Sequence, residues 1–270
     1  MTVRLCIAGA TGWTGSAVAR AAAGRAGFDV VTGVSRTHAG SDLGRVLGVE
    51  PMDVPLFATV REALDARSAD VLIDYTSHVS VKDHVLTALR HGVAVVIGSS
   101  GLSAGDFAEI DAAATEAGRG VVASGNFSIT ASLLQHAALL AAEHLPTWEI
   151  VGLADSTKAD APGGTSRELA ERLAEVHEPR IDVALADTGG VPGARGASVS
   201  ATQVHSVRLP GYTLSVEIMF GLPGERLTMR HDAGPDATPY VDGTLLAAAR
   251  VTEHIGLVRG LDTLLFGAGG

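Results

Sequence analysis

Residues 3 to 23 constrain the fold of this chain more than any other stretch of its sequence. Val3 to Ala8 is a short apolar run of the kind found in buried parallel strands, and an Ala- and Val-rich helical pattern follows the segment Gly9-Ala10-Thr11-Gly12-Trp13-Thr14-Gly15. In a strand-turn-helix unit, glycines at this spacing allow a tight turn, close approach of a pyrophosphate, and close packing of helix on strand. The spacing is GxxGxxG, a relative of the GxGxxG fingerprint of dinucleotide-binding folds. The alternative is a tight strand-helix turn that binds nothing.

Apolar strand-like runs alternate with helical patterns through the first half of the chain. The predicted strands are Phe28–Val34, Asp70–Tyr75, Val93–Ile97 and Val121-Val122, and the predicted helices are Val79–Arg90 and Ser103–Ala117. This alternation predicts an α/β fold with an N-terminal, Rossmann-like, doubly wound parallel sheet. A ligand of such a sheet lies at the carboxyl ends of the strands. The residues predicted to bind a dinucleotide there are Gly9, Thr11, Gly12, Trp13, Thr14, Gly15, Thr76, Ser77, Gly98, Ser100, Gly101, Asn126 and Phe127.

The residues that follow the second predicted strand indicate which dinucleotide the chain binds. An NAD-binding site usually places Asp or Glu here to bind the ribose hydroxyls, but this chain reads Ser35-Arg36-Thr37-His38. The hydroxyl of Ser35 and the guanidinium of Arg36 suit a ribose 2′-phosphate, which arginine can bind in a bidentate manner. We therefore predict NADPH as the cofactor, with NADH possible but weaker. The alternative is that Arg36 is a solvated loop cation.

The sequence TWEIVGLADSTKADAPGGT at residues 147 to 165 is the second candidate site. An apolar strand-like run ends in a polar loop that contains Asp155 and Lys158, and the loop closes on Gly163-Gly164-Thr165 before a helix predicted over Ser166–Val176. Glycines leave backbone N–H groups free in such a turn, Thr165 can cap the helix, and Lys158 adds a positive charge. Together these features favour a carboxylate or phosphate as ligand. An ordinary strand-loop-helix connection with a solvated lysine is the alternative.

The second half of the chain shows a different pattern. A Gly- and Pro-rich loop at residues 186–197 precedes three strand-like runs, Val199–Arg208, Thr213–Phe220 and Arg226–Asp232, and a closing helix is predicted over Tyr240–Ile255. Alternating polar and apolar residues predict a C-terminal α+β domain with an open mixed sheet, one face of which is exposed. Such faces often form oligomer interfaces, so we expect a homo-oligomer. The predicted boundaries assign residues 1–127 and 239–270 to a dinucleotide-binding domain and residues 128–238 to a substrate-binding and oligomerisation domain.

Charge and cysteine content exclude several classes of function. The formal net charge is −10 and there is no run of Lys or Arg, so neither nucleic acid nor an anionic membrane is an expected partner. Cys6 is the single cysteine, which leaves no disulfide framework and no thiolate metal site, and we expect no metal. No apolar run approaches the length of about 20 residues that crosses a bilayer, and the N-terminus lacks a signal-peptide pattern. We therefore predict a cytoplasmic protein that acts on a small molecule.

Six segments spread over almost the whole chain carry a more specific resemblance. They are GATGWTG at residues 9–15, IGSSG at 97–101, NFS at 126–128, KADAPGGT at 158–165, VHSVRLPG at 204–211 and FGLPGERLTMRHDA at 220–233. Together they resemble the dihydrodipicolinate reductase family of lysine biosynthesis. The resemblance implies hydride transfer from NAD(P)H, a C-terminal substrate domain and a homotetramer. It also implies that Lys158 is a catalytic or substrate-orienting cation, that Gly164 and Thr165 hold a substrate carboxylate, and that the cofactor is surrounded by residues including Gly12, Gly98, Gly101 and Asn126 to Ser128.

Two positions depart from the family pattern. Members of the family carry a histidine pair where this chain has Ala154-Asp155, and one of these histidines is thought to be the general acid. Imidazole titrates near neutrality, whereas an ordinary aspartate has a pKa of about 3.9 and is a poor acid at neutral pH unless it is desolvated. The Asp155 charge would also repel a second substrate carboxylate. Trp13 stands where arginine is usual, so Arg36 carries more of the NADPH preference.

The residues lead to one main functional hypothesis and two alternatives. The main hypothesis is an NADPH-dependent oxidoreductase of this family that transfers hydride to or from a small imine, imino acid or carbonyl compound other than the lysine-pathway substrate. The first alternative is the 4-hydroxy-tetrahydrodipicolinate reductase of lysine biosynthesis itself, with Lys158 and water in place of the histidines. The second is a catalytically silent NADP-binding sensor, which would need the dinucleotide loop but not the substrate anchor.

The main hypothesis gives the residues of the second candidate site separate roles. Lys158 would stabilise the charge that develops on the substrate, and the anchor would be Gly163, Gly164 and Thr165. Asp155 would relay a proton if its pKa is raised, or pair with a substrate ammonium; the alternative is a solvated loop acid. His205 and His231 are expected to be structural.

Overall fold

The computed structural model describes residues 2–191 and 193–267. In chain order, the strands are β1 (Val3–Ala8), β2 (Phe28–Val34), β3 (Leu56–Phe57), β4 (Val71–Asp74), β5 (Ala94–Ile97), β6 (Gly120–Ala123), β7 (Trp148–Ala154), β8 (Ala197–Val199), β9 (Thr202–Arg208), β10 (Leu214–Leu222), β11 (Glu225–Ala233) and β12 (Gly256–Arg259). The helices are α1 (Trp13–Ala23), α2 (Leu43–Leu47), α3 (Val60–Ala66), α4 (Val81–Arg90), α5 (Ala104–Ala117), α6 (Ile129–Ala142), α7 (Gly164–Val176), α8 (Thr238–Arg250) and α9 (Leu261–Phe266). The chain divides into two units, one made of the described residues up to Ile129 and from Ala237 onwards, the other of Thr130–Asp236.

The first unit is built on a seven-stranded parallel sheet. The strand order is β12-β6-β5-β4-β1-β2-β3, with β1 between β2 and β4. Leu5 and Ile7 of β1 point into one hydrophobic core, and Cys6 and Ala8 point into the other, because alternate side chains of a strand face opposite sides of the sheet. All four are fully buried, as expected for a parallel sheet with helices on both faces. The predicted Rossmann-like, doubly wound sheet is confirmed.

Two regions of the first unit differ from the sequence prediction. The closing helix, predicted over Tyr240–Ile255, ends at Arg250 and is followed by a single 3-10 turn at Val251–Glu253 and by strand β12. β12 is short and pairs in parallel with β6, so its position depends on a partner more than 100 residues away rather than on a local pattern. Elements α2, β3 and α3 were not predicted at all, since each is at most seven residues long.

The second unit contains a five-stranded mixed sheet in the order β11-β10-β7-β9-β8. β7 is parallel to β9 and antiparallel to β10. Helices α6 and α7 cover one face of the sheet, where the core contains Trp148, Ile150, Leu169, Ile218 and Phe220. The other face carries partly exposed polar and charged side chains from alternate positions of the same strands. The predicted open mixed sheet of an α+β domain is confirmed.

Two local predictions in the second unit were wrong. The run Val199–Arg208 is not one strand but the antiparallel pair β8 and β9. Ser200 and Ala201 have φ values of +47° and +64°, so they form a two-residue turn with the backbone twist that joins adjacent strands. Helix α7 begins at Gly164, with Gly163 as its N-cap and no side-chain cap, so Thr165 lies in the first helical turn and is not the cap. Within the described residues, no helix combines the length and the apolar character needed to cross a membrane.

Candidate active site

The glycine-rich turn after β1 has a backbone that only glycine can form. Gly9 has a φ of +77°, and a Cβ atom on it would lie 2.3 Å from the carbonyl oxygen of Tyr75. A Cβ atom on Gly15 would lie 2.1 Å from the carbonyl oxygen of Gly9. The turn is closed by a 2.9 Å hydrogen bond that the N–H of Gly12 donates to the carbonyl of Gly9. The three glycines therefore bring the start of α1 close to the end of β1.

Helix α1 begins directly after this turn. Gly12 is its N-cap in an extended conformation, and no side chain caps the helix. First-turn amides have no partners within a helix, and the helix dipole favours negative charge at this end. Trp13 is 57% exposed, and its ring centroid lies 5.8 Å from that of Tyr240. The turn and the helix start therefore fit a phosphate-bearing dinucleotide.

The loop after β2 lies at the same edge of the sheet. The hydroxyl oxygens of Thr11 and Ser35 are 2.8 Å apart, and the Ser35 hydroxyl is 3.3 Å from Nδ1 of His38. The side chain of Arg36 is exposed and makes no hydrogen bond or ion pair with the described residues. Hydroxyl groups and a guanidinium thus stand at the end of β2, without a carboxylate in the segment from Ser35 to His38.

A buried carboxylate that the sequence analysis missed organises the loops after β4 and β5. Asp74 is fully buried and accepts hydrogen bonds from the N–H and hydroxyl of Thr76 at 3.0 and 2.8 Å, and from the hydroxyl of Ser99 at 2.6 Å. Its second oxygen lies 2.7 Å from Nδ1 of His84. Buried carboxylates need such partners, and here the partners belong to the loops that carry Thr76 and Gly98. An acidic residue at the end of a wholly apolar strand was the signal in the sequence.

The structure brings the remaining predicted cofactor residues to this edge, because each follows the carboxyl end of a parallel strand. Ser77, Ser100 and Gly101 are exposed there. Asn126 is buried, and its side-chain oxygen accepts a 2.8 Å hydrogen bond from the N–H of Ser128. Phe127 is 2% exposed and packs its ring edge-on to that of Tyr75, so its side chain belongs to the core rather than to an open ligand surface.

The loop after β7 places Asp155, Thr157 and Lys158 in one turn. The N–H of Lys158 donates a 3.1 Å hydrogen bond to the carbonyl of Asp155. The Asp155 carboxylate accepts hydrogen bonds from the N–H and hydroxyl of Thr157 at 2.9 and 2.7 Å. The ammonium of Lys158 lies 2.7 Å from the carboxylate of Asp160. Local hydrogen bonds and one ion pair thus shape this turn, which we call the lysine turn (residues 155–162).

Both carboxylates of the lysine turn favour the ionised form. The backbone N–H of Thr157, and then its hydroxyl, lower the pKa of Asp155 below its ordinary value. Burial opposes the ionisation of Asp160, but the hydrogen bond and charge of Lys158 outweigh burial and leave the pKa of Asp160 lowered. An acid with a lowered pKa holds almost no proton at neutral pH. Asp155 therefore lacks the raised pKa that a proton-relaying role requires.

The lysine turn leads into α7 through Gly163. Gly163 is buried, and a Cβ atom on it would lie 3.4 Å from Cε of Lys158. A Cβ atom on Gly164 would meet no other atom within 4 Å. A small recess in this unit is lined by residues that include Lys158, Gly163, Thr165 and Arg208. The structure therefore brings Lys158 and the start of α7 together, and adds Arg208, which the sequence analysis did not select.

His205 and His231, which were expected to be structural, each contact another side chain of the protein. His205 Nε2 lies 2.7 Å from the carboxylate of Glu149, and His231 Nδ1 lies 3.1 Å from the hydroxyl of Thr130. Burial raises the pKa of Cys6 to about 12, and the negative charge of Asp74 adds a smaller contribution in the same direction. This thiol is therefore not a nucleophile at neutral pH.

No group of three or more potential metal ligands occurs among residues 2–191 and 193–267. A cavity of about 1040 Å³ at the amino ends of the parallel strands contains none of the predicted site residues.

A parallel sheet with a glycine-rich turn after its first strand is typical of dinucleotide-binding domains. The family described as "Dihydrodipicolinate reductase, N-terminus" matches residues 3–127, and "Dihydrodipicolinate reductase, C-terminus" matches residues 127–265. The chain therefore belongs to the dihydrodipicolinate reductase family and is an NAD(P)-dependent oxidoreductase.

Relatives match this chain over nearly its whole length. The 4-hydroxy-tetrahydrodipicolinate reductase of Cyanothece sp. is 36% identical over 270 residues, covering 97% of this chain and 98% of the relative. The enzyme of the same name from Bacillus pumilus is 34% identical over 264 residues, with 98% of both chains covered. The solved structure of a dipicolinate-bound dihydrodipicolinate reductase from Paenisporosarcina sp. is similar with a TM-score of 0.78 and 29% identity, covering 98% of this chain and 100% of that chain.

Proposed function

We propose that this chain is an NADPH-dependent reductase of a small, carboxylate-bearing cyclic imine, and that 4-hydroxy-tetrahydrodipicolinate is its substrate. The observation that carries the proposal is the lysine turn, where Lys158 and the uncapped start of α7 lie side by side in a family member. The full-length similarity to reductases of that name favours this substrate over an unrelated one.

The first unit would bind the cofactor, which supplies the hydride when it is bound. The amides at the start of α1 would hold the pyrophosphate after the glycine-rich turn. Ser35 and Arg36 would bind the 2′-phosphate, which is why we propose NADPH rather than NADH. The other cofactor-binding residues of the proposal are Gly9, Thr11, Gly12, Trp13, Thr14, Gly15, Thr76, Ser77, Gly98, Ser100, Gly101, Asn126 and, through its backbone, Phe127.

The second unit would bind the substrate. The amides of Gly163, Gly164 and Thr165 would hold one substrate carboxylate at the start of α7. Lys158 would stabilise the negative charge that develops as the imine is reduced. Because Asp155 is ionised, the proton would come from Lys158 or from water rather than from Asp155. By family resemblance we also propose a cytoplasmic homotetramer formed through the exposed face of the mixed sheet, which sedimentation velocity would test.

A different imine, imino acid or carbonyl substrate is the second candidate. The specific observation in its favour is Asp155, an ionised carboxylate in the position where the family resemblance implies an imidazole. A fixed negative charge near Lys158 repels a second substrate carboxylate and attracts a substrate ammonium. For the second candidate, a substrate with one carboxylate and an amino group would suit the charge of Asp155 better than a dicarboxylate.

The test is turnover by the purified enzyme with 4-hydroxy-tetrahydrodipicolinate generated in place by a synthase, compared with a panel of monocarboxylate imines. We expect the largest kcat/KM with the dicarboxylate and NADPH, and rescue of a strain that requires diaminopimelate. Preferred turnover of a monocarboxylate or amino-bearing imine without rescue would support the second candidate. Tight NADPH binding without turnover of any compound would instead indicate a sensor and overturn both.

A further inference from the structure

Arg208, at the end of β9, is tied to the lysine turn rather than to a partner carboxylate. One terminal nitrogen of its guanidinium donates a 2.6 Å hydrogen bond to the backbone carbonyl of Asp160. The other terminal nitrogen donates to the carbonyls of Val207 at 2.9 Å and Gly152 at 3.5 Å. The guanidinium thus connects the ends of two paired strands, β7 and β9, with the loop that carries Lys158.

Asp160 links the two cations of this recess. Its side chain binds the ammonium of Lys158, and its backbone carbonyl binds the guanidinium of Arg208. The position of Lys158 therefore depends on Asp160, and the position of Asp160 depends on Arg208. A lysine side chain has considerable rotamer freedom, so a fixed partner limits where its ammonium lies.

Arg208 has no carboxylate within ion-pair distance among the described residues, although its charge contributes to the lowered pKa of Asp160. Arg208 forms no ion pair with any of the described residues, and its Nε is buried without a hydrogen-bond partner. The side chain as a whole is partly buried, and the unpartnered Nε is the unusual feature, because buried polar atoms normally have a hydrogen-bond partner. Arg208 also lines the same recess as Lys158 and the start of α7. An anion bound at the mouth of this recess, whose own volume is about 10 Å³, would therefore meet two cations, of which only Lys158 lies within ion-pair distance of a carboxylate.

We infer that Arg208 is a positioning residue for Lys158 and that its positive charge makes the recess selective for dicarboxylates over monocarboxylates. The inference rests on the proposed function, because it concerns the same recess. It also explains how a dicarboxylate can bind beside the ionised Asp155, since the Arg208 charge offsets that repulsion. The competing explanation is that Arg208 has only a structural role and stabilises the fold by linking the ends of β7 and β9 to the lysine turn.

The experiment compares Arg208→Gln, Arg208→Lys and the control Arg226→Gln in the full chain. Arg226 is an exposed arginine in the same unit that makes no side-chain hydrogen bond or ion pair with the described residues. Binding of dipicolinate (pyridine-2,6-dicarboxylate) and of pyridine-2-carboxylate is measured by calorimetry with NADPH present, and thermal melts report stability. We expect Arg208→Gln to weaken dipicolinate binding about 10- to 100-fold and pyridine-2-carboxylate binding by less than about 3-fold. Arg208→Lys, which keeps the charge, should recover part of the dipicolinate binding, and Arg226→Gln should change neither.

The outcomes separate this inference from the proposed substrate. An equal loss of affinity for both ligands in Arg208→Gln, together with a lowered Tm, would show a purely structural role and overturn the inference. Equal affinity of the unmodified chain for the two ligands would overturn it as well. Selective loss of dipicolinate binding in a protein that does not turn over 4-hydroxy-tetrahydrodipicolinate would reject the proposed substrate and leave the inference intact. If Arg208→Gln does not fold, Arg208→Lys must still show lower selectivity than the unmodified chain.

Discussion

The glycine-rich turn of the first unit and the lysine turn of the second are held in place by different forces. Backbone packing fixes the glycine-rich turn, since side chains at Gly9 and Gly15 would collide with backbone atoms. The neighbouring loops are fixed by the buried carboxylate of Asp74. The lysine turn lies largely at the surface and is held by local hydrogen bonds, by the ion pair of Lys158 with Asp160, and by one distant hydrogen bond from Arg208 to the carbonyl of Asp160.

This difference predicts which residues of the two turns can vary most easily. A side chain at Gly9 or Gly15 costs folding free energy, so these two glycines have little freedom to vary. A change in the lysine turn costs little stability and acts mainly on the ligand. The family resemblance places the histidine pair at Ala154-Asp155, at the start of the lysine turn. We therefore expect the cofactor side to follow the general rules of the fold and the substrate side to carry what is particular to this chain.

The largest contrast should come from adding one methyl group to a glycine in each region. Gly15→Ala places a Cβ atom 2.1 Å from the Gly9 carbonyl, so the turn must open. We expect the free energy of unfolding to fall by about 3 kcal/mol or more, and NADPH affinity to fall at least about 100-fold. Urea unfolding and fluorescence titration of the exposed Trp13 would measure the two effects.

The matched control is Gly164→Ala, where a Cβ atom meets no other atom within 4 Å. We expect it to change the free energy of unfolding by less than about 0.5 kcal/mol and to leave NADPH affinity unchanged. If its amide region holds the substrate, KM should still rise several-fold, because the added methyl group would contact the ligand. Similar stability losses in the two alanine variants would contradict the contrast between the regions.

The next largest effect is expected at Asp155, where two substitutions distinguish the effect of its negative charge from the effect of proton transfer. Asp155→Asn keeps an oxygen that can accept the Thr157 hydrogen bonds but removes the charge, and Asp155→His adds an imidazole. For a dicarboxylate substrate we expect Asp155→Asn to raise kcat/KM a few-fold and Asp155→His to raise kcat about 10- to 100-fold. Ala154 is only 1% exposed, so the single change at Asp155 is the cleaner test.

The Asp155→His variant should also acquire a new pH dependence. If imidazolium donates the proton, the added activity is present below its pKa and is lost as pH rises through about 6.5. The activity of the unmodified chain should not fall in this way between about pH 6 and 7, because the pKa of Asp155 is lowered and its carboxylate stays ionised at neutral pH. A fall in activity in Asp155→Asn would instead indicate a substrate that carries an ammonium group.

A smaller effect is expected at the end of β2. Arg36 has no partner among the described residues, so Arg36→Ala removes a charge without breaking a protein contact. We expect kcat/KM with NADPH to fall about 10-fold and kcat/KM with NADH to change by less than about 2-fold. Steady-state kinetics with both cofactors would measure this, with the solvent-exposed Arg67 as control position. Equal losses with both cofactors would reject Arg36 as the 2′-phosphate ligand.

Local patterns in the sequence were sufficient to predict one part of this architecture. The strand β1, the glycine-rich turn and α1 are contiguous, and their glycine spacing and periodicity are visible within about 20 residues. The same holds for the lysine turn, because the lysine and the glycines that begin α7 are close in sequence. The parallel alternation then predicted which loops share one edge of the sheet.

Interactions between distant residues could not be predicted in this way. Asp74 is 25 residues from Ser99, and Arg208 is 48 residues from Asp160, so no local period links them. The turn at Ser200-Ala201 was missed because neither residue is a glycine, although both have positive φ. Burial of Phe127 was missed because its neighbours in the motif line an exposed edge. These failures share one cause, which is that side-chain surroundings depend on contacts made after folding.

The central claim is that Lys158 acts on the substrate and has no part in cofactor binding. The sequence contains two lysines, Lys82 and Lys158, and Lys82 forms ion pairs with Asp106 and Glu109 in the first unit. The most direct test is kcat/KM and NADPH affinity for Lys158→Met beside Lys82→Met. We predict that Lys158→Met lowers kcat/KM at least about 100-fold with NADPH affinity unchanged, while Lys82→Met leaves both near those of the unmodified chain. Near-normal turnover by Lys158→Met would contradict the account.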